Sequence, residues 1–314
     1  IKVIYILGII FTISTMIFYL NPNIYINKIV PNLNDYLRTD AIIMIKTNRQ
    51  PGLTGHYSTN GMYLAIGLGG ALTSFIAFNK KKSIRYLNLF CIVLIIAALL
   101  LIGKRAHLVF SILSMFVVIW YYKCDKKKDR LKKFIGIIII LAIGVYIAIT
   151  KIPALNNTLN RFIQTAESGD FLMSRGMFYQ ISMQYFFEKP IMGNGWEYMM
   201  SNVLDHNVHN VYIQLLAETG LIGFIVFSSL FVYGIVNTIK IMKAFIIKKM
   251  NFSDNEKIAI IFSLYYQIFF VIYCMTGNPL YDEQTFLIYM ISYGMMLNLK
   301  SKYIKEMKEK NENG

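Results

Sequence analysis

Cysteine is nearly absent, with three in 314 residues. Cys91 and Cys274 sit inside apolar blocks, Cys124 borders a lysine-rich run, and none falls in a stretch that reads as external. A disulfide framework is therefore not implied. Acidic residues are scarce too: 17 Asp and Glu stand against 32 Lys and Arg, for a formal charge of +15. There is no internal repeat and no low-complexity segment beyond the charged tail 300–314. The first apolar block carries neither the n-region nor the small-residue cleavage site of a signal peptide. The chain starts at Ile1 and enters that block almost at once, so a natural start upstream is expected.

What the sequence has in abundance is apolar length. Hydrophobic residues make up 56% of the chain and the mean hydropathy is positive, beyond what a soluble core of this size needs. They come in blocks of about 20, the length that crosses a hydrocarbon core of ~30 Å. Eight spans can be drawn, at 3–20, 61–78, 86–102, 106–122, 134–150, 221–241, 258–276 and 284–299. Continuous runs such as Phe134-Ile-Gly-Ile-Ile-Ile-Ile-Leu141 exclude the alternation of a barrel strand, so each span is a helix. The expected fold is all-α, a polytopic membrane protein with about eight transmembrane helices and a large external loop carrying interfacial helices. Three regions are expected. Residues 1–51 hold the first span and first external loop, 52–241 a core with external loop 151–220, and 242–314 two further spans and a basic tail.

Lysine and arginine set the orientation. With Lys2 inside, 22 of the 32 cations fall on the inner side and 10 on the outer. Both termini are then cytoplasmic, and the net charge is mostly a topology signal; a nucleic-acid partner is not needed to explain it. In this orientation all four histidines, His56, His107, His206 and His209, lie on the outer face, as do both long loops, 21–60 and 151–220. Long loops of this kind are functional or carry surface helices. Residues 171–187, rich in Phe, Tyr and Met, read as a helix lying in the interface, ended by Pro190 and a Gly193-Asn-Gly195 turn.

Two constellations on the outer face can carry chemistry. Gly103-Lys104-Arg105-Ala106-His107 is a tight hairpin that places two cations against the positive-inside trend. A guanidinium there reads as functional, with its planar fork suited to a phosphate, against the alternative of snorkelling to headgroups. His206-Asn-Val-His209-Asn210 precedes a helical stretch ending at Gly220-Leu-Ile-Gly223. Its histidines at i and i+3 would share a metal if helical, but no third ligand stands at a recognisable spacing. A solvated interfacial histidine or one acting as general base are the other readings. Glu218 is a tempting second base. Nine residues at about 100° each, however, turn it away from His209 on a straight helix and onto the face of Gln214, which makes it structural unless Gly220 unwinds the segment.

The pattern His209-Asn210, nine residues, Gly220-x-x-Gly223 resembles the signature of the O-antigen ligase and polysaccharide polymerase family of bacteria. Other pieces follow in order. Gly52-Leu-Thr-Gly-His-Tyr-Ser-Thr-Asn60 resembles the family's early external segment, and Leu101-Ile-Gly-Lys-Arg-Ala-His107 its short basic turn. Ser174-Arg175 and Pro190-Ile-Met-Gly193-Asn-Gly195 resemble the stretch that leads to its large external loop. The resemblance implies glycosyl transfer outside the cytoplasmic membrane. The donor is a glycan on a polyprenyl pyrophosphate and the acceptor a sugar hydroxyl on another lipid-linked glycan. No cofactor, metal or nucleotide sugar is needed, and a flippase and a chain-length regulator are expected beside it. By position Arg105 and Arg175 take the arginine role at the pyrophosphate and His209 the histidine role at the acceptor. Lys104, Arg161, Asn210, His56 and Arg49 are expected to bind substrate. The family typically has more spans than eight.

Polymerase and ligase differ in the acceptor. Abundant Ile, Lys and Asn point to an AT-rich, Gram-positive genome without a lipopolysaccharide core, which favours polymerisation of capsule or exopolysaccharide repeat units over ligation. The alternative from another class is a flippase or transporter, which would place charged residues at the midplane of broken helices. The spans here are nearly charge-free, and the ionisable groups gather on one face.

Overall fold

The computed structural model describes residues 1–77, 82–122, 175–246 and 252–312. Among the described residues all regular structure is helical and there is no strand, as backbone in hydrocarbon requires. The long helices are α1 (Lys2–Leu20), α2 (Asp35–Lys46), α3 (Tyr57–Ala77), α4 (Lys82–Ile102), α5 (Arg105–Tyr122), α6 (Gly176–Glu188), α7 (Val211–Ile246), α8 (Asp254–Tyr273) and α9 (Glu283–Glu312). Six of them, α1, α3, α4, α5, α7 and α8, are long and apolar enough to cross a membrane. The chain is a multi-pass membrane protein. These six coincide with six of the spans read from sequence, and the span at 134–150 lies outside the described residues. The span at 284–299 lies within α9, which is 30 residues long but is not among the six. Glu283, Gln284, Asn298 and Lys300 dilute its apolar run.

The chain divides into two compact units, Ile1–Phe162 with Phe252–Tyr265, and Ile163–Asn251 with Tyr266–Gly314. In the first, α3 is the central helix. Leu64, Ala65, Leu68 and Ala71 are fully buried, and Gly67, Gly69 and Gly70 let neighbours come close. A Cβ on Gly67 would stand 2.5 Å from the Cα of Gly8 in α1, and one on Gly69 would stand 2.4 Å from the Tyr265 ring. The Tyr265 hydroxyl donates to the Ala65 carbonyl at 2.8 Å. Small residues serve this purpose where lipid supplies no hydrophobic drive between helices. The stretch between α1 and α3 is folded rather than extended. Buried Tyr25, Val30, Ala41 and Ile45 pack with Phe18 into a small core.

In the second unit an aromatic cluster joins α7, α8 and α9. Phe270 stacks on Tyr289 at 4.3 Å, and Phe231 meets both edge-on. Of the helix expected over 171–187, the described part is helical in α6, Gly176–Glu188. Its Phe178, Tyr179, Ile181 and Tyr185 cover buried Met199, Val208 and Ala217. This second core supports the connecting segment that leads into α7.

Candidate active site

The spacing of the His-Asn, nine-residue, Gly-x-x-Gly pattern has a local cause in the second unit. Asn210 Oδ1 accepts the backbone N–H groups of Tyr212 at 3.0 Å and Ile213 at 3.2 Å. It is an N-cap, satisfying donors that the first turn of α7 leaves without partners. The capped stretch then runs nine residues to Gly220, where α7 is interrupted by φ 62° and ψ −165°, a conformation essentially reserved for glycine.

The interruption is filled by the Pro190–Gly195 stretch. Asn194 N–H donates to the Ala217 carbonyl at 3.1 Å and Gly195 N–H to the Glu218 carbonyl at 2.8 Å. On the other side Leu221 N–H donates to the Pro190 carbonyl at 2.9 Å and Ile222 N–H to the Ile191 carbonyl at 3.3 Å. A Cβ on Gly193 would lie 2.3 Å from the Glu218 carbonyl oxygen, and one on Gly220 would lie 2.3 Å from the Ile191 carbonyl oxygen. The two glycine motifs, some 25 residues apart in sequence, are the two halves of one backbone joint.

Glu218 sits at this joint, fully buried. Its carboxyl accepts from Glu197 N–H at 3.1 Å, Met199 N–H at 3.2 Å, Gln214 Nε2 at 3.0 Å and the Tyr281 hydroxyl at 2.7 Å. An acceptor-only carboxylate suits four converging donors. The face shared with Gln214 is the one read from sequence. Although Gly220 does interrupt the helix, these bonds give Glu218 a scaffolding role. Burial, then Glu218, push the Tyr281 hydroxyl far above its ordinary range, so it is a standing donor. Its ring stacks on Trp196 at 4.7 Å.

His209 comes just before the capped stretch, with a left-handed φ of 62°, so it is not part of the helix on which Glu218 lies. Tyr179 of α6 donates its hydroxyl to the His209 carbonyl at 3.4 Å. The His209 ring meets a residue that sequence reasoning missed: Asn278 Nδ2 is 3.1 Å from Nδ1. Arg175, at the start of α6, donates Nη1 to the carbonyl of Thr276 at 3.0 Å. Arg175 and His209 therefore both engage the Thr276-Gly277-Asn278 turn after α8. That turn is tied to the start of α7 by Val211 N–H on the Cys274 carbonyl at 2.9 Å. His206 packs edge-on against Phe178 at 4.4 Å, and its ring is 6.3 Å from that of His209. Residues 205–210 are not helical, so the i, i+3 premise of a shared metal does not hold. Among the described residues no three His, Cys, Asp or Glu gather at a metal-ligating distance.

The first unit assembles Arg49, His56 and Lys104 around a second missed residue, Tyr57. The Arg49 guanidinium lies 5.0 Å and the Lys104 ammonium 5.4 Å from the centre of its ring. His56 Nδ1 accepts the Ser58 N–H at 3.1 Å. Burial and then the nearby Lys104 lower the His56 pKa; Asp40 opposes them less strongly, and Arg49 adds a smaller lowering. Asn60, fully buried, anchors this loop by donating to Thr15 Oγ1 at 2.9 Å and to the Gln50 carbonyl at 3.0 Å. Its side chain would collide with a Cβ on Gly52. Gly103, with φ 77°, forms the two-residue turn to Arg105, which is half-buried at the start of α5. His107 is fully buried against Gly61. Arg161 lies outside the described residues.

A family model described as O-antigen ligase matches residues 90–228. The match takes in Lys104, Arg105, Arg175, His209, Asn210 and both glycine motifs, while Arg49, His56 and the Asn278 turn lie beyond its ends. No curated protein matches the chain.

Proposed function

We propose, from the match of residues 90–228 to the O-antigen ligase family model, that the chain polymerises polyprenyl-pyrophosphate-linked repeat units on the outer face of the cytoplasmic membrane. Membership of the family implies glycosyl transfer of the ligase or polymerase type on lipid-linked glycans. The observation that supports a glycosyl-transfer site is the engagement of Arg175 and His209 with one turn, Thr276-Gly277-Asn278. A base and a guanidinium held by the same short segment suit the two demands of the reaction. An acceptor hydroxyl must lose a proton, and a departing pyrophosphate must have its developing charge stabilised.

In this reading the acceptor oxygen attacks the anomeric carbon of the donor glycan and its proton passes to His209. The bond from that carbon to the phosphate oxygen breaks, and polyprenyl pyrophosphate leaves against arginine. One glycosidic bond forms for each polyprenyl pyrophosphate released. Arg105 is assigned to the pyrophosphate by its place in the basic turn within the family match; Lys104, Arg49, His56 and Arg161 are assigned to substrate as a second tier. Asn210 contributes through its cap, which fixes where α7 begins after His209. Polymerisation is preferred to ligation here because abundant Ile, Lys and Asn, read as an AT-rich genome of Gram-positive type, go with cells that lack a lipopolysaccharide core. A broken helix is also a shape that transporters use to hold solute. Here the carbonyls at the break accept Asn194 and Gly195 N–H groups, which supports a structural joint.

Polymer length in cells carrying each variant at matched expression tests the reading. His209→Ala is expected to leave single repeat units, a loss of ~10²–10⁴-fold in turnover, while His206→Ala, which packs on Phe178, leaves long chains. Full-length polymer from His209→Ala would sink the assignment of the base.

A further inference from the structure

We infer that Asn278 is the positioning residue of His209, setting the tautomer in which the ring works as a base. The inference rests on the reading of His209 as that base. Asn278 Nδ2 lies 3.1 Å from His209 Nδ1, and the other amide atom, Oδ1, is buried without a hydrogen-bond partner among the described residues. Half a turn about the last side-chain bond exchanges the two atoms and brings Oδ1 onto Nδ1. The chemistry decides which atom must face the ring. A histidine that takes a proton through Nε2 carries its first proton on Nδ1, and after transfer both nitrogens are protonated. An amide N–H facing Nδ1 would oppose that imidazolium, whereas the amide oxygen accepts Nδ1–H before and after the transfer. Asn278 Oδ1 thus stands to His209 as an orienting carboxylate stands to a catalytic histidine, without the negative charge.

The surroundings hold the pair in place. Asn278 lies two residues beyond Thr276, whose carbonyl accepts Arg175, and three before Tyr281, which is bonded to buried Glu218. Among the described residues, the titratable and charged groups near the His209 ring come from several elements. They include His206 at 6.3 Å, Tyr179 on its carbonyl and Arg175 on the shared turn.

Three variants of the full chain, purified and assayed with lipid-linked repeat units across pH, test the inference. Asn278→Ala is expected to lower kcat by roughly 10- to 100-fold at unchanged KM for the donor. Asn278→Asp can only accept from Nδ1, so it is expected to stay active. Its charge favours the imidazolium, which moves the acid limb of the pH–rate profile upward by about 1–3 units. Wild-type kcat and pH profile in Asn278→Ala would overturn the inference. So would an Asn278→Asp that is inactive at every pH or that keeps the wild-type acid limb. If Asn278→Ala fails to fold, the acid limb of Asn278→Asp decides alone. His209→Ala separates the two claims. Full activity there removes the base reading itself, whereas an inactive His209→Ala beside an unaltered Asn278→Ala removes only the role of Asn278.

Discussion

A methyl group on Gly220 would stand 2.3 Å from the Ile191 carbonyl oxygen and 2.7 Å from the Gly193 nitrogen. Both are backbone atoms, so no rotamer change relieves the contact. The φ and ψ of Gly220 lie where an L side chain is strained by about 1–3 kcal/mol. Relief requires the Pro190–Gly195 stretch to retreat, which exposes its four hydrogen bonds to the broken ends of α7. Each contributes a net ~0.5–1.5 kcal/mol. Losing half or more of them on top of the strain gives a cost on the order of 3–6 kcal/mol, a large share of an ordinary folding stability of ~5–15 kcal/mol. Gly220→Ala is therefore expected to melt far below the wild type, with poor yield, when the detergent-purified protein is heated and Trp fluorescence is followed. Trp196 reports from beside the joint. Gly294→Ala is the control. It is helical with open space around the new Cβ, and is expected to be neutral or to stabilise by up to ~1 kcal/mol. A Gly220→Ala protein that melts within about 2 °C of the wild type would refute the joint.

Other consequences follow from the same geometry. His56, whose ordinary pKa is 6.5, has it lowered in the folded protein. Unfolded chain therefore binds a proton below pH 6.5 that folded chain refuses, and stability is expected to fall as pH drops from there toward the lowered value. Melting temperature against pH should show this slope in the wild type and lose it in His56→Gln; an unchanged slope contradicts the burial of the imidazole. Arg105→Lys is expected to fail nearly as badly as Arg105→Ala in polymer assays, because an ammonium keeps the charge but loses the fork. Near-wild-type polymer from the lysine variant would reduce Arg105 to a point charge. Cysteines placed in 21–60 should label on intact cells with an impermeant thiol reagent, and cysteines in 123–133 only after permeabilisation; the reverse pattern would invert the topology.

Six of the spans were legible because lipid demands long apolar helices, and runs such as 87–102 admit little else. The His-Asn and Gly-x-x-Gly motifs were legible as spacing, but not as structure. Nothing local in Pro190-Ile-Met-Gly-Asn-Gly announces that it fills a break opened by Gly220, since the pairing is between backbones. Glu218 was placed on the face of Gln214 by helical geometry alone, and its bond there follows. The turn that holds Arg175 and His209 escaped notice for a different reason. Thr276 and Asn278 are single polar residues at the end of an apolar span, and Asn278 lies 69 residues from its partner histidine. Tyr57 was read as one letter of a motif, whereas its ring is the surface on which Arg49 and Lys104 meet.

The central claim is that a lipid-linked glycan serves as both donor and acceptor. Purified protein in liposomes, given polyprenyl-pyrophosphate-linked repeat units and no other acceptor, should produce a ladder of multiples of the unit. One polyprenyl pyrophosphate should appear for each linkage formed, and neither should appear with His209→Ala. No elongation until a glycan acceptor of another kind is added, followed by transfer of a single donor glycan onto it, would contradict polymerisation and identify a ligase.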